Sequence, residues 1–161
     1  MTLYGPFVQA ANDGRIGWLT DENRPIPDQL RRTLEWLDAR KDYTYSIWRG
    51  ADPTSVTGYL EPADDSFMQA AGSADRMTVE VGMPGADGEH HLYTVGRPEP
   101  ADGTTTLIPM SDDRAIRVFS NEIFTADEAA AVFYMFYLTD TVSQPYVLRE
   151  LDLGQELTEL R

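Results

Sequence analysis

Both histidines of this 161-residue chain stand in one run, Glu89-His90-His91. Imidazole beside carboxylate is the pairing most apt to move a proton or hold a metal ion. The residues around it alternate as a strand does, which sends His90 and His91 to opposite faces. The two rings then cannot share one ion without a bulge. Glu89 and His91 fall on one face and would need a third ligand from elsewhere; the plainer reading is a hairpin strand with exposed imidazoles. Two pairs of adjacent aspartates, Asp64-Asp65 and Asp112-Asp113, have the chemistry for a divalent cation or for raising one another's pKa. In turns such pairs are more often solvated loops. Carboxylates that cleave glycosides need a fixed separation across a cleft, which a sequence does not display.

Other reactive patterns are missing. Residues 84–88, Pro-Gly-Ala-Asp-Gly, lack the lysine and following helix of a phosphate loop and read as a turn. No serine sits in a Gly-x-Ser-x-Gly elbow. The absence of cysteine removes disulfides, thiolate metal sites and thiol nucleophiles. Arg24, Arg31, Arg32, Arg40, Lys41 and Arg49 form the one basic concentration, with Tyr43, Tyr45 and Trp48 beside it. A nucleic-acid face is conceivable there, but acids are interleaved throughout. No catalytic set, metal site or cofactor site emerges, and the chain reads as a binding protein rather than an enzyme.

Charge is the informative total. The formal net charge is −14, from 27 acidic and 13 basic residues. Residues 1–50 hold seven of each, so the whole excess lies in residues 51–161, with twenty acids against six bases. Such an excess repels nucleic acid and anionic membranes and speeds association with a cationic partner. Solubility is the bland alternative. At 42 % hydrophobic and 25 % charged residues, the composition is that of a folded domain with a sizeable core. There is no basic leader and no membrane-length apolar run, so a cytoplasmic protein is expected.

Those candidate groups must be positioned by the elements around them. Phe-Val-Gln-Ala-Ala and Arg-Ile-Gly-Trp-Leu-Thr flank Asn12-Asp13-Gly14, a hairpin pattern. Pro25 and Pro27 introduce an amphipathic helix with Leu30, Leu34 and Leu37 at helical spacing, ending near Lys41. Residues 43–50 alternate as a strand, and 55–60 form a weaker one. Residues 61–75 are the least regular stretch, holding either a helical turn around Phe67-Met68 or a mobile loop; any subdivision of the single domain would fall there. Residues 77–83 and 89–97 make one hairpin and 104–110 and 114–120 another, with Pro109 placing its strand at an edge or near its end. Residues 154–161 read as a short polar tail.

The element that organises the rest is the helix opening at Thr125. Thr125 and Glu128 form a capping box, and residues 129–138 are all apolar or aromatic. Projected at 100° per residue, Ala126, Ala129, Ala130, Phe133, Phe136 and Tyr137 share one side. Ala131, Tyr134, Met135 and Leu138 continue the other. One face belongs on a sheet, and the second needs a cover, expected from the N-terminal helix through Leu30, Leu34 and Leu37. Asp140 and the run ending at Pro145 close the helix and lead into a strand from Tyr146 that should pair within the sheet. The expected class is α+β: an antiparallel or mixed twisted sheet of about six to eight strands with two main helices packed on it.

Strand, capped alanine- and aromatic-rich helix, proline and last strand, with Thr125, Glu128, Ala129, Ala130, Phe133, Phe136, Pro145 and residues 147–151, resemble the end of Imm1-type immunity proteins of bacterial polymorphic toxin systems. The likeness covers about a third of the chain. Gln144 stands where that family commonly has arginine before the proline, and Leu148 or Arg149 where it has tryptophan. The resemblance implies a small cytoplasmic α+β protein, without a catalytic set, that binds a cognate toxin and blocks its active site. The partner would be a basic toxin domain, not nucleic acid or membrane. The toxin-binding residues expected are Asp64, Asp65 and Phe67 in the irregular stretch, Asp87 and Glu89 at one hairpin tip, and Asp112 and Asp113 at the other. A chaperone or adaptor of a secretion system, holding an amphipathic helix in a groove, is the alternative outside that class. An enzyme using loop carboxylates with His91 is the third.

Overall fold

A computed structural model of the chain describes residues 7–12, 14–50, 62–152, 154 and 157–159, without the side chains of 62–65. The expected strand at 55–60 lies outside the described residues. The architecture is α+β. Along the chain run β1 (Phe7–Ala11), β2 (Ile16–Trp18), α1 (Ile26–Glu35), β3 (Thr44–Gly50), β4 (Pro62–Ser73), β5 (Arg76–Pro84), β6 (His90–Gly96), β7 (Thr105–Pro109) and β8 (Arg114–Phe119). A 3-10 turn (Ser120–Glu122), α2 (Ala126–Thr139), β9 (Val147–Glu150) and β10 (Leu157–Glu159) complete it. Among the described residues all pairings are antiparallel. Seven strands form the main sheet in the order β2-β1-β3-β4-β5-β6-β9, and three form a second sheet, β10-β8-β7.

Both internal hairpins form where alternation placed them. Pro109 is the last residue of β7, itself an edge strand, so its missing N–H costs no ladder bond. Three expectations are corrected. The stretch expected to be irregular is mostly β4, a central strand paired with β3 through Phe67–Ala71 and with β5 through Phe67–Ser73. Its Ala70, Ala71 and Gly72 look unlike a strand, but both faces are covered, and small residues suit that space. The expected tail carries β10, which pairs with β8 through Leu157↔Ile116. Helix α1 stops at Glu35, short of Lys41. Asp38 Oδ1 there accepts the N–H groups of Arg40, Lys41 and Asp42 at 2.9, 2.9 and 3.0 Å, and Ala39 takes a left-handed φ of 56°. That local turn outcompetes another helical turn.

Both helices cover one face of the main sheet. Phe7, Tyr45, Ile47, Met68, Val79, Val81 and Val95 meet Leu30, Leu34, Ala129, Phe133 and Phe136 in one core. Helix α1 packs on α2, as expected, but it does not cover the whole second face of α2, where Ala131 and Leu138 stay exposed. Leu30, Leu34 and Leu37 are buried, Met135 is half-buried, and Leu138 stays 60 % exposed. The capping box is present: Glu128 N–H reaches Thr125 Oγ1 at 3.3 Å and Thr125 N–H reaches Glu128 Oε1 at 2.9 Å. At the other end Asp140 takes φ 60°, and its N–H bonds Phe136 O at 2.8 Å.

The small sheet lies against the other face, with a core of Ile108, Ile116 and Val118. Contacts of β7 with β4 and β5 seat it there. A Cβ at Gly72 (φ 123°) would sit 2.9 Å from Ile108 Cγ2, so glycine meets both a conformational and a steric demand at this junction. Glu122, 4 % exposed, ties the layers: its Oε2 and Oε1 accept from Arg149 of β9 at 2.8 and 2.9 Å, and its Oε1 also accepts Phe119 N–H at 2.8 Å. No helix among the described residues is long and apolar enough to cross a membrane.

Candidate functional site

The charged groups with the most developed geometry gather where β5 turns into β6. Gly85 N–H bonds Glu89 O at 2.8 Å and closes this turn, and Gly88, at φ 79°, takes its left-handed position. Asp87 Oδ1 accepts the Glu89 N–H at 3.0 Å, which fixes the carboxylate over the strand end. His91, the second residue of β6, fills the space it faces. Its Nε2 stands 2.9 and 3.0 Å from the two Asp87 oxygens, and its Nδ1 stands 2.5 Å from Glu150 Oε1. The pairing of β9 with β6, Tyr93↔Glu150, delivers that second carboxylate. A Cβ on Gly85 would lie 2.5 Å from His91 Cδ2, so the ring rests directly on glycine backbone.

The electrostatics follow from this bracket. Hydrogen bonds to Asp87 and then Glu150 raise the His91 pKa above its ordinary value of 6.5. The reciprocal bond to His91, followed by the Glu89 N–H, lowers that of Asp87. An imidazolium donating from both nitrogens has no lone pair to offer a metal ion or a substrate proton. When protonated, the group is therefore a cationic bridge between the hairpin tip and the edge strand. Its partner is Asp87 and not Glu89, because Glu89 lies in the turn just before the strand begins and alternation does not apply to it.

The two histidines do point to opposite faces. On the other side His90 stacks on Phe67, ring centroids 6.1 Å apart and planes at 24°, above Gly82. A Cβ at Gly82 would lie 2.9 Å from His90 Nε2. One end of the main sheet thus holds Phe67, Asp87, Glu89, His90, His91 and Glu150, with Asp152 following β9 into a shallow depression beside Leu92. Of the expected site residues, Phe67, Asp87 and Glu89 come together here. Asp112 and Asp113 do not: their turn follows Ile108, which rests on Gly72 near the opposite end of β5. The side chains of Asp64 and Asp65 lie outside the described residues.

Glu150 and Asp152 are additions that sequence reading missed, while His90, named there, gains a stacking partner in Phe67. The register joining β9 to β6 brings Glu150 to His91, across a separation of 59 residues. No local pattern encodes that register. Within the basic concentration, by contrast, Arg24, Arg31 and Arg49 are held by close internal ion pairs. Asp28 meets Arg24, Arg31 and Arg32 at 3.1, 2.8 and 3.5 Å, while Arg49 pairs with Asp140 at 3.0 Å and lies 4.4 Å over the Phe7 ring. Among the described residues no group of three or more His, Asp or Glu side chains is placed to hold a metal ion. Comparison with protein-family models, with curated proteins and with solved structures found no match to this chain.

Proposed function

We propose that this protein is a stoichiometric inhibitor of the immunity type, which binds a basic bacterial toxin domain in the cytoplasm and occludes its active site without covalent chemistry. The observation that carries the reading is the sheet end at β5–β6. Half-buried Phe67 stacks on the exposed ring of His90, and the carboxylates of Asp87, Glu89, Glu150 and Asp152 gather at the same sheet end, those of Asp87 and Glu150 on the opposite face beside His91. An apolar anchor beside charged groups is how a compact interface combines a slow off-rate with a steered on-rate. The acidic excess of residues 51–161 extends the same field beyond the patch. The resemblance of the C-terminal third to Imm1-type proteins supports the same reading.

Co-expression with the product of a neighbouring toxin gene, followed by purification, tests it. The expected result is a one-to-one complex whose association slows as salt rises. Glu89→Lys with Asp152→Lys, which leaves the His91 bridge intact, should cut the association rate by about tenfold or more. Phe67→Ala should speed dissociation by about tenfold or more. Asp112→Lys with Asp113→Lys, at the other end, should have little effect. Absence of any complex overturns the function, and equal loss from both charge pairs overturns the site.

A further inference from the structure

Away from the acidic end, the sheet has a hollow whose origin is one residue. Strand β2 is the outermost strand of the main sheet, and Gly17 sits at its centre, paired with Gln9. Phe7 of β1 and Ile47 of β3 point into the helix-side core, and Gln9 shares their side by alternation, with Gly17 opposite it. A residue with a side chain at that position would complete the layer beneath α1. Glycine leaves it open, and an added Cβ there would meet nothing within 4 Å. The helix ends above this gap, so Trp36 projects over it and remains 67 % exposed.

The resulting pocket has a volume of about 450 Å³, within the range of small-molecule sites. Its lining is mostly apolar with a fixed polar floor. Tyr45, 2 % exposed, donates its hydroxyl to Gln9 Oε1 at 2.8 Å, which orients the Gln9 amide. At the mouth stand Arg15, Arg32 and Asp42, two cations against one anion in a protein of net charge −14. Arg32 lies 3.5 Å from Asp28, longer than a hydrogen-bonded ion pair. An incoming carboxylate or sulfonate can therefore displace that weak contact.

We infer that this pocket binds a small, flat aromatic anion, with its rings over Gly17 and against Trp36 and its acid group at Arg32. An indole face stacks on a ring of that size, and the Arg32 guanidinium selects the acid over a neutral analogue. This site is independent of the acidic sheet end and of the function proposed for it.

Fluorescence and calorimetric titration of the full chain test it, with 8-anilinonaphthalene-1-sulfonate as the anionic probe and N-phenyl-1-naphthylamine as the neutral one. One saturable site is expected, tighter for the sulfonate. Gly17→Leu fills the hollow and should abolish binding with an unchanged melting temperature. Trp36→Ala, at an exposed position, should weaken binding of both probes by about tenfold. Arg32→Gln should weaken the sulfonate severalfold and leave the neutral probe alone. Leu138→Ser removes another exposed apolar side chain and should change nothing. Absence of saturable binding, binding that survives both Gly17→Leu and Trp36→Ala, or equal loss in Leu138→Ser overturns the pocket. Equal affinity for the two probes overturns the choice of an anion.

Discussion

At the scale of single residues, His91 makes the sharpest statement, because one ring decides whether the hairpin tip is joined to β9. Its pKa is raised in the folded state by Asp87 and Glu150. The bridge is therefore at full strength below the ordinary histidine value of 6.5 and is lost as pH rises through the raised value. An NMR titration should find His91 above 6.5, with Glu150→Gln and Asp87→Asn each lowering it. Gly85→Ala should do the same without touching a charge, since the new methyl group displaces the ring. An His91 that titrates at the ordinary value in the unaltered protein would mean that the bridge does not persist in solution. The bridge also bears on the proposed partner: deprotonating His91 makes the sheet end one charge more negative, so association with a cationic surface should quicken as pH rises through that transition.

Between elements, legibility tracks how local the signal is. Helix α2 was readable because its cap, its apolar run and its left-handed stop at Asp140 all lie within its own residues. Strand β4 was not, because alanines and a glycine score poorly as strand formers, and their fitness appears only once two layers close over them. The register of β9 on β6, and with it the pairing of Glu150 to His91, is a tertiary property with no local mark. Energetically the same helix separates local from tertiary effects. Thr125→Ala removes one cap bond and should cost about 1 kcal/mol. Phe133→Ala opens a cavity under a ring that is 0 % exposed and stacked on Tyr45 at 5.6 Å, and should cost about 3–5 kcal/mol. Urea denaturation distinguishes them, and similar losses would contradict the view that tertiary packing holds this helix.

For the molecule as a whole, the important junction is between the two sheets, and a carboxylic acid lies within it. Val79 and Val81 point to the helices, so Thr78 and Glu80 face the small sheet. Glu80 is 3 % exposed, and its Oε1, with the hydroxyls of Thr78 and Thr94, has no hydrogen-bond partner among the described residues. Burial alone pushes its pKa from 4.5 up to about 7. In that window the folded protein keeps a proton that the unfolded chain has released, so stability falls as pH rises from 4.5 to about 7 and levels off above. The full change is about 3 kcal/mol at 1.36 kcal/mol per pH unit. The small sheet, with a core of three buried aliphatic residues, should yield first. Amide exchange in β7 and β8, corrected for its intrinsic pH dependence, should show less protection at pH 8 than at pH 5.5, while that in β4 and β5 changes less. Glu80→Gln keeps the shape and removes the titration. It should flatten the stability profile and raise the melting temperature at pH 8 relative to the unaltered chain, with little difference at pH 5. A variant with the same slope between pH 5 and 7 as the unaltered protein would place the pH dependence elsewhere and leave Glu80 as a neutral filler of the junction.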